Sequence, residues 1–176
     1  MNLIKDEGLL SSYRGKIDEV LDDSGSISLT WFRSRPKRWL VIPIECPLAQ
    51  VEYQPVLNYA EREEISELIM LDGGQNPDRR YGATINLKED DLEWDLASFH
   101  TVRQWCFPKD LNFIFNIENP DIAFLFGPEA LVMEVASGDL EKQITGFLND
   151  ALFGLPSESR EESERKVRVF IKRYNG

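Results

Sequence analysis

Three apolar stretches between residues 111 and 135 constrain the fold more than any other part of the chain. Large apolar residues occupy every second position in the first stretch, and short polar turns at residues 118–121 and 127–129 separate the three. Parallel strands need crossovers of about a dozen residues or more, so turns this short predict an antiparallel three-stranded meander. The predicted strands are Leu111–Ile117, Ile122–Phe126 and Ala130–Val135.

The N-terminal region predicts a second antiparallel unit. Ile27, Leu29 and Trp31 alternate with small polar residues, which is typical of a half-buried strand. Residues 33–37 contain a proline and predict a turn, and the apolar, β-branched residues 38–44 follow it. We therefore expect a hairpin whose second strand is limited by Pro43 and Pro47, which indicate either an edge of the sheet or an exit from it.

Helical spacing of apolar residues predicts helices at 8–22, at 60–71 and after the capping residue Asp139. Residues 83–87 predict a short strand. In the tail, a capping-box pattern beginning at Ser159 and glutamate–basic pairs four residues apart favour a helix, although alternation at 167–171 would also fit a strand.

These elements together predict an α+β fold. Its antiparallel sheet would consist of the N-terminal hairpin and the C-terminal three-stranded meander, with flanking helices packed mainly on one face. We expect a single domain over residues 1–156, followed by a charged helical or strand-like appendage at 157–176.

The negative charge of the chain is concentrated in its middle. Residues 41–156 carry a net charge of −14, whereas the segments before and after them carry +1 and +2. Such a field repels nucleic acid and anionic membranes and attracts basic proteins. The first residues contain no apolar run typical of a signal peptide, so we expect a cytoplasmic protein that binds neither nucleic acid nor membrane.

One short segment concentrates this charge around an aromatic residue. A solvated charged loop is the simplest interpretation, and a recognition surface for a basic partner is the specific hypothesis carried forward, because aromatic residues are enriched in interfaces. A divalent-cation site is the third alternative. Glutamates 61, 63, 64 and 67 form the next acidic candidate. The predicted partner-binding residues are Glu89, Asp90, Asp91, Glu93, Trp94 and Asp95.

A basic segment at residues 33–38 interleaves four cations with tryptophan and phenylalanine. Such a pattern can bind single-stranded nucleic acid. In a chain of net charge −11 we instead expect a solvated turn, or pairing with the acidic middle.

No recognisable catalytic or cofactor motif occurs in the chain, and we predict neither a cofactor nor a metal site. The only histidine, His100, lies six residues before Cys106 without a nucleophile signature, so we expect a packed thiol rather than a reactive one. Whether Cys46 and Cys106 pair stays open at this point.

We therefore expect a small protein-binding module, of the immunity-protein or antitoxin type, that covers a basic toxin or nuclease. An acidic secretion or assembly chaperone is the alternative within the same class. A different class is an enzyme whose site combines dispersed acidic residues with His100.

Overall fold

The structure of the protein, a computed structural model, describes residues 1–44, 50–73, 81–88, 104–119, 122–153 and 156–176, without the side chains of residues 50, 51, 118, 119 and 122. The strands are β1 (Asn2–Leu3), β2 (Trp39–Ile44), β3 (Glu67–Asp72), β4 (Gly82–Asn86), β5 (Gln104–Pro108), β6 (Ile114–Asn119) and β7 (Ile122–Pro128). The helices are α1 (Glu7–Asp18), α2 (Leu29–Arg33), α3 (Gln50–Arg62), α4 (Glu129–Val135), α5 (Leu140–Ala151) and α6 (Ser157–Asn175).

All seven of the described strands belong to one antiparallel sheet, which confirms the predicted α+β class. The strand order is β1-β4-β3-β5-β6-β7-β2, and every neighbouring pair runs antiparallel. Strand β2 lies at one edge, which is one of the two alternatives that Pro43 indicated. The two-residue strand β1 forms the other edge.

Helices cover both faces of this sheet and create two hydrophobic cores. Buried residues of α1, α2, α5 and α6 share one core with Val41 and Phe126. Buried residues of α3 and α4 share the other with Ile42 and Phe115. Four of the six described helices therefore pack on one face, in keeping with the prediction, while the opposite face is covered as well.

The three-stranded meander exists, but one strand earlier than predicted. It consists of β5, β6 and β7, joined in chain order. The predicted third strand at 130–135 is wrong, because these residues form helix α4. Leu131, Val132 and Val135 are buried at helical spacing, and Glu129 at the first turn suits the positive end of the helix dipole.

The predicted N-terminal hairpin is also wrong. Residues 29–33 form α2, and Ser28 caps its N-terminus. The Ser28 side chain accepts a hydrogen bond from the Trp31 amide at 3.4 Å. Strand β2 pairs instead with β7, with Val41 opposite Phe126. The serine cap therefore outweighed an alternation that contained only three apolar residues.

The predicted helix at 60–71 is wrong as well. Helix α3 ends at Arg62, and residues 67–72 form β3 between β4 and β5. Leu68 and Met70 pack in one core, whereas Ile69 and Leu71 pack in the other. Since both faces of β3 are buried, its sequence is a continuous apolar run without the period of two.

The remaining predicted helices are confirmed. Tyr13 and Ile17 are buried in α1, and Asp139 caps α5 by accepting from the Lys142 amide at 3.0 Å. The tail is the helix α6, although it begins at Ser157 rather than at the predicted capping box. Val167, Ile171 and Tyr174 of α6 join the first core. The division into a domain and an appendage at residue 156 stays a prediction.

Candidate partner-binding site

The predicted partner-binding residues, Glu89, Asp90, Asp91, Glu93, Trp94 and Asp95, lie outside the described residues, as do Cys46 and His100. Cys106 is described, on β5 opposite Met70 and Phe115. It is fully buried, and this burial raises the pKa of its thiol. Because the thiolate is the reactive form, Cys106 is an inert packing residue.

Two glutamates of the second acidic group, Glu61 and Glu64, line a cavity of about 410 Å³. The cavity forms where the end of α3 meets the paired ends of β3 and β4. Next to these strand ends, the Leu87 amide donates a hydrogen bond to the Ser66 carbonyl at 3.0 Å. Its lining includes the apolar Leu57, Ile65 and Leu87 and the charged Glu61, Glu64 and Lys88.

The end of α3 determines where Glu64 is placed. The Ile65 amide donates to the Ala60 carbonyl at 2.7 Å, and the Glu64 amide donates to the Glu61 carbonyl at 3.2 Å. This pair of hydrogen bonds is the Schellman arrangement, which requires a left-handed residue at the position of Glu64. Glycine is the usual residue there, yet Glu64 adopts a φ of 56°. The chain therefore holds a carboxylate at the cavity at the cost of backbone strain.

Ion pairs compensate only some of the surrounding charges. Arg62 donates to both carboxylate oxygens of Glu134, at 2.8 and 2.9 Å, and Lys37 lies 3.9 Å from Glu63. Within the part of the chain that the structure describes, Glu61 and Glu64 form no ion pair. Both side chains are exposed, so their charge is available to a partner.

Tyr59 lies on the core side of α3, and the charged residues near the end of this helix affect the pKa of its phenol. Burial is the main cause that raises the pKa of its phenol, and the negative charge of Glu63 raises it further. The guanidinium of Arg62 lies 5.8 Å from the Tyr59 ring centroid and acts in the opposite direction. The hydroxyl therefore remains protonated and uncharged at neutral pH.

The arrangement at the cavity suits a long basic side chain. The aliphatic part of a lysine or arginine would lie along Leu57, Ile65 and Leu87, while its charged end would meet Glu61 or Glu64. The sequence identified the glutamates but missed the cavity, because its apolar lining comes from three separate segments. In the sequence, the predicted acidic strip begins at the residue after Lys88.

No family model, no curated protein and no solved structure matched this chain. In the described ranges, none of the helices has the length and hydropathy needed to cross a bilayer. No group of three or more histidine, cysteine or acidic side chains suited to a metal ion occurs among the described residues.

Proposed function

We propose that this protein is a binding module that captures a basic protein, in the manner of an immunity protein or antitoxin. The cavity lined by Glu61 and Glu64 carries this proposal, because it combines an apolar surface with exposed carboxylates that form no ion pair among the described residues. Charge speeds the encounter, and insertion of one basic side chain slows dissociation. The cytoplasmic location expected from the sequence is part of the same proposal.

The acidic strip at Glu89–Asp95 belongs to this proposal as a second part of the surface. In the sequence the strip begins directly after Lys88, a residue that lines the cavity. Trp94 would provide an aromatic anchor within it. The net charge of −14 over residues 41–156 supports a basic partner rather than a nucleic acid.

The test compares two double variants that remove the same charge from different places. Glu61→Gln/Glu64→Gln neutralises the cavity. Glu158→Gln/Glu161→Gln neutralises two exposed glutamates of α6 and serves as the matched control. Each tagged protein is used for affinity capture with quantitative mass spectrometry. The purified partner is then studied by surface plasmon resonance at two ionic strengths.

We expect the cavity variant to associate about tenfold more slowly than the wild type and to show a weaker salt dependence. The control variant should behave like the wild type. Equal association rates and salt slopes for both double variants would contradict a role for the cavity. Neutralising Asp91, Glu93 and Asp95 together then tests the strip separately.

The variant Glu64→Gly tests whether a glutamate occupies this left-handed position for binding or for stability. Glycine accepts the left-handed conformation, so the substitution should stabilise the fold by about 1 kcal/mol. If the carboxylate serves binding, the same variant should lose affinity for the captured partner. A variant that is more stable in urea and binds as well as the wild type would remove Glu64 from the proposed surface.

A further inference from the structure

A second cavity, of about 350 Å³, lies where the connection from α2 to β2 meets the end of α6. Its character is opposite to that of the acidic cavity. Aromatic residues, including Phe32 and Tyr174, form part of the lining. The basic residues that line it are Arg33, Arg35, Lys37 and Arg38.

Arg35 is held in this cavity by two tryptophans. Its guanidinium carbon lies 4.7 Å from the ring centroid of Trp31 and 5.1 Å from that of Trp39. The two indoles contact each other edge to face, with centroids 5.3 Å apart. Cation–π contacts of this kind fix the orientation of the guanidinium. The site therefore presents a positive charge that is placed before any ligand arrives.

The charge of Arg35 is only partly hydrated. Burial lowers the pKa of its guanidinium, yet arginine stays protonated at neutral pH. Its Nε is buried and has no hydrogen-bond partner among the described residues. Arg35 forms no hydrogen bond or ion pair with another described residue, so an anion in the cavity would give its guanidinium a hydrogen-bond acceptor that the protein alone does not supply.

The neighbouring cations differ in how far they are neutralised. Arg38 lies 3.1 Å from Glu129, and Lys37 lies 3.9 Å from Glu63. Arg33 and Arg35 have no carboxylate partner in the part of the chain that the structure describes. Two unneutralised guanidinium groups in one cavity are unusual in a chain with eleven surplus negative charges.

The size and surroundings of the cavity limit the ligand. Arg35 already occupies a face of both tryptophans, so the rings are poorly placed to stack on nucleotide bases. The acidic middle of the chain would repel a long polyanion. A single phosphate or carboxylate group needs no stacking surface and carries too little charge to be repelled strongly by the acidic middle of the chain. Its oxygen atoms also match the forked geometry of the arginine guanidinium.

We propose that this cavity binds the phosphate or carboxylate group of a small molecule, with Arg33 and Arg35 as its principal charged contacts. This binding is separate from the proposed capture of a basic protein, because it uses other residues and a ligand of opposite charge. Lys37 and Arg38 would add to the local potential while remaining paired with Glu63 and Glu129.

Titration with inorganic phosphate at constant ionic strength, set by chloride, tests the proposal. Calorimetry measures binding, and tryptophan fluorescence, to which Trp31 and Trp39 contribute two of the four indoles, is recorded in the same titration. The variants are Arg33→Gln, which changes an exposed residue, and Arg35→Lys, which keeps the charge but loses the planar fork. Arg165→Gln removes an exposed arginine of α6 outside the cavity and is the matched control.

We expect saturable binding in the wild type and in Arg165→Gln, and an affinity at least about tenfold lower in Arg33→Gln. No saturable binding in the wild type, or equal affinities in the wild type and Arg33→Gln, would overturn the proposal. If Arg35→Lys does not fold, Arg33→Gln still decides the outcome. A parallel titration with acetate distinguishes the two groups: tighter phosphate binding assigns a phosphate site, and tighter acetate binding assigns a carboxylate site.

Discussion

At the residue scale, one carboxylate organises the turn that follows α1. Asp22 Oδ1 accepts hydrogen bonds from the amides of Ser24 and Ser26, at 2.9 and 3.2 Å, and from the Ser24 hydroxyl at 2.5 Å. Arg173 of α6 lies 3.3 Å from the other carboxylate oxygen. The turn reverses the chain so that Leu21 and Ile27 form a β-bridge. Asp22 thus joins the first connection of the chain to its last helix.

These contacts lower the pKa of Asp22, with the hydrogen bond from Ser24 as the largest cause. A carboxyl whose pKa is lower in the folded state than in the unfolded state stabilises the protein at pH values above its ordinary pKa of 3.8. This contribution is lost as the pH falls through the pKa of the folded state. We therefore expect Asp22→Asn to be less stable than the wild type at neutral pH. The difference should shrink as the pH falls below about 3.8.

Urea unfolding between about pH 7 and about pH 2.5 measures this effect. Asp23→Asn is the control, since it removes a neighbouring exposed carboxylate. A stability difference for Asp22→Asn that stays constant over the whole pH range would show that the charge of Asp22 contributes nothing to folding.

At the scale of elements, a side chain of the terminal helix α6 forms hydrogen bonds with the outer edge of strand β2. The Val41 amide donates to Asn175 Oδ1, and Asn175 Nδ2 donates to the Val41 carbonyl, both at 2.8 Å. Every second residue of a strand directs its backbone N–H and C=O groups to the same side, so Pro43, two residues after Val41, also faces the outer edge. A proline fits there because its nitrogen carries no hydrogen and no neighbouring strand in the described sheet requires a donor. One asparagine thus pairs with β2 as a neighbouring strand would.

Asn175→Ala should remove both hydrogen bonds and expose the β2 edge. We expect a loss of about 1–3 kcal/mol in unfolding free energy, together with self-association at high concentration, because open edges pair with other strands. Asn175→Asp keeps an acceptor but loses the donor, so it should lie between the wild type and alanine. Urea unfolding and sedimentation analysis measure the two effects. Wild-type stability in the alanine variant would contradict this role for Asn175.

At the scale of the whole molecule, a sheet with two covered faces distributes the core over two layers. Phe115 is fully buried against α3 and α4, whereas Phe147 is buried with α1, α2 and α6. From the sequence we expect Phe113, Phe115, Phe147 and Leu148 to be buried together where the meander meets the helix beginning near Asp139. All four are buried, but not at one shared interface, because the sheet separates Phe113 and Phe115 from the other two.

Phe115→Ala and Phe147→Ala should therefore each destabilise the protein by about 3–5 kcal/mol, since each leaves a cavity in its own layer. Phe153→Ala is the control, because this phenylalanine is 86% exposed and its loss should change stability by less than about 0.5 kcal/mol. Denaturant unfolding measures all three variants. A stability near that of the wild type for one of the buried positions would mean that its layer contributes little to folding.

The candidate site illustrates how far prediction from sequence reached. Glutamates 61, 63, 64 and 67 could be named in advance, because charged side chains concentrate on surfaces whatever the fold. The cavity beside them could not, because Leu57, Ile65 and Leu87 meet only after β3 and β4 pair. The strip at residues 89–95 stays a prediction.

The sequence by itself determined the elements whose information is local. An amphipathic helix buries a single stripe, so α1, α5 and α6 are visible as periodic patterns, and a short polar turn is enough to join β6 to β7. Strand β3 is different, because burial on both faces removes its period of two. Strand β2 is visible in the sequence as an apolar run, but its partner β7 lies far along the chain. Only tertiary structure decides which distant strands pair, since that choice depends on filling two cores at the same time.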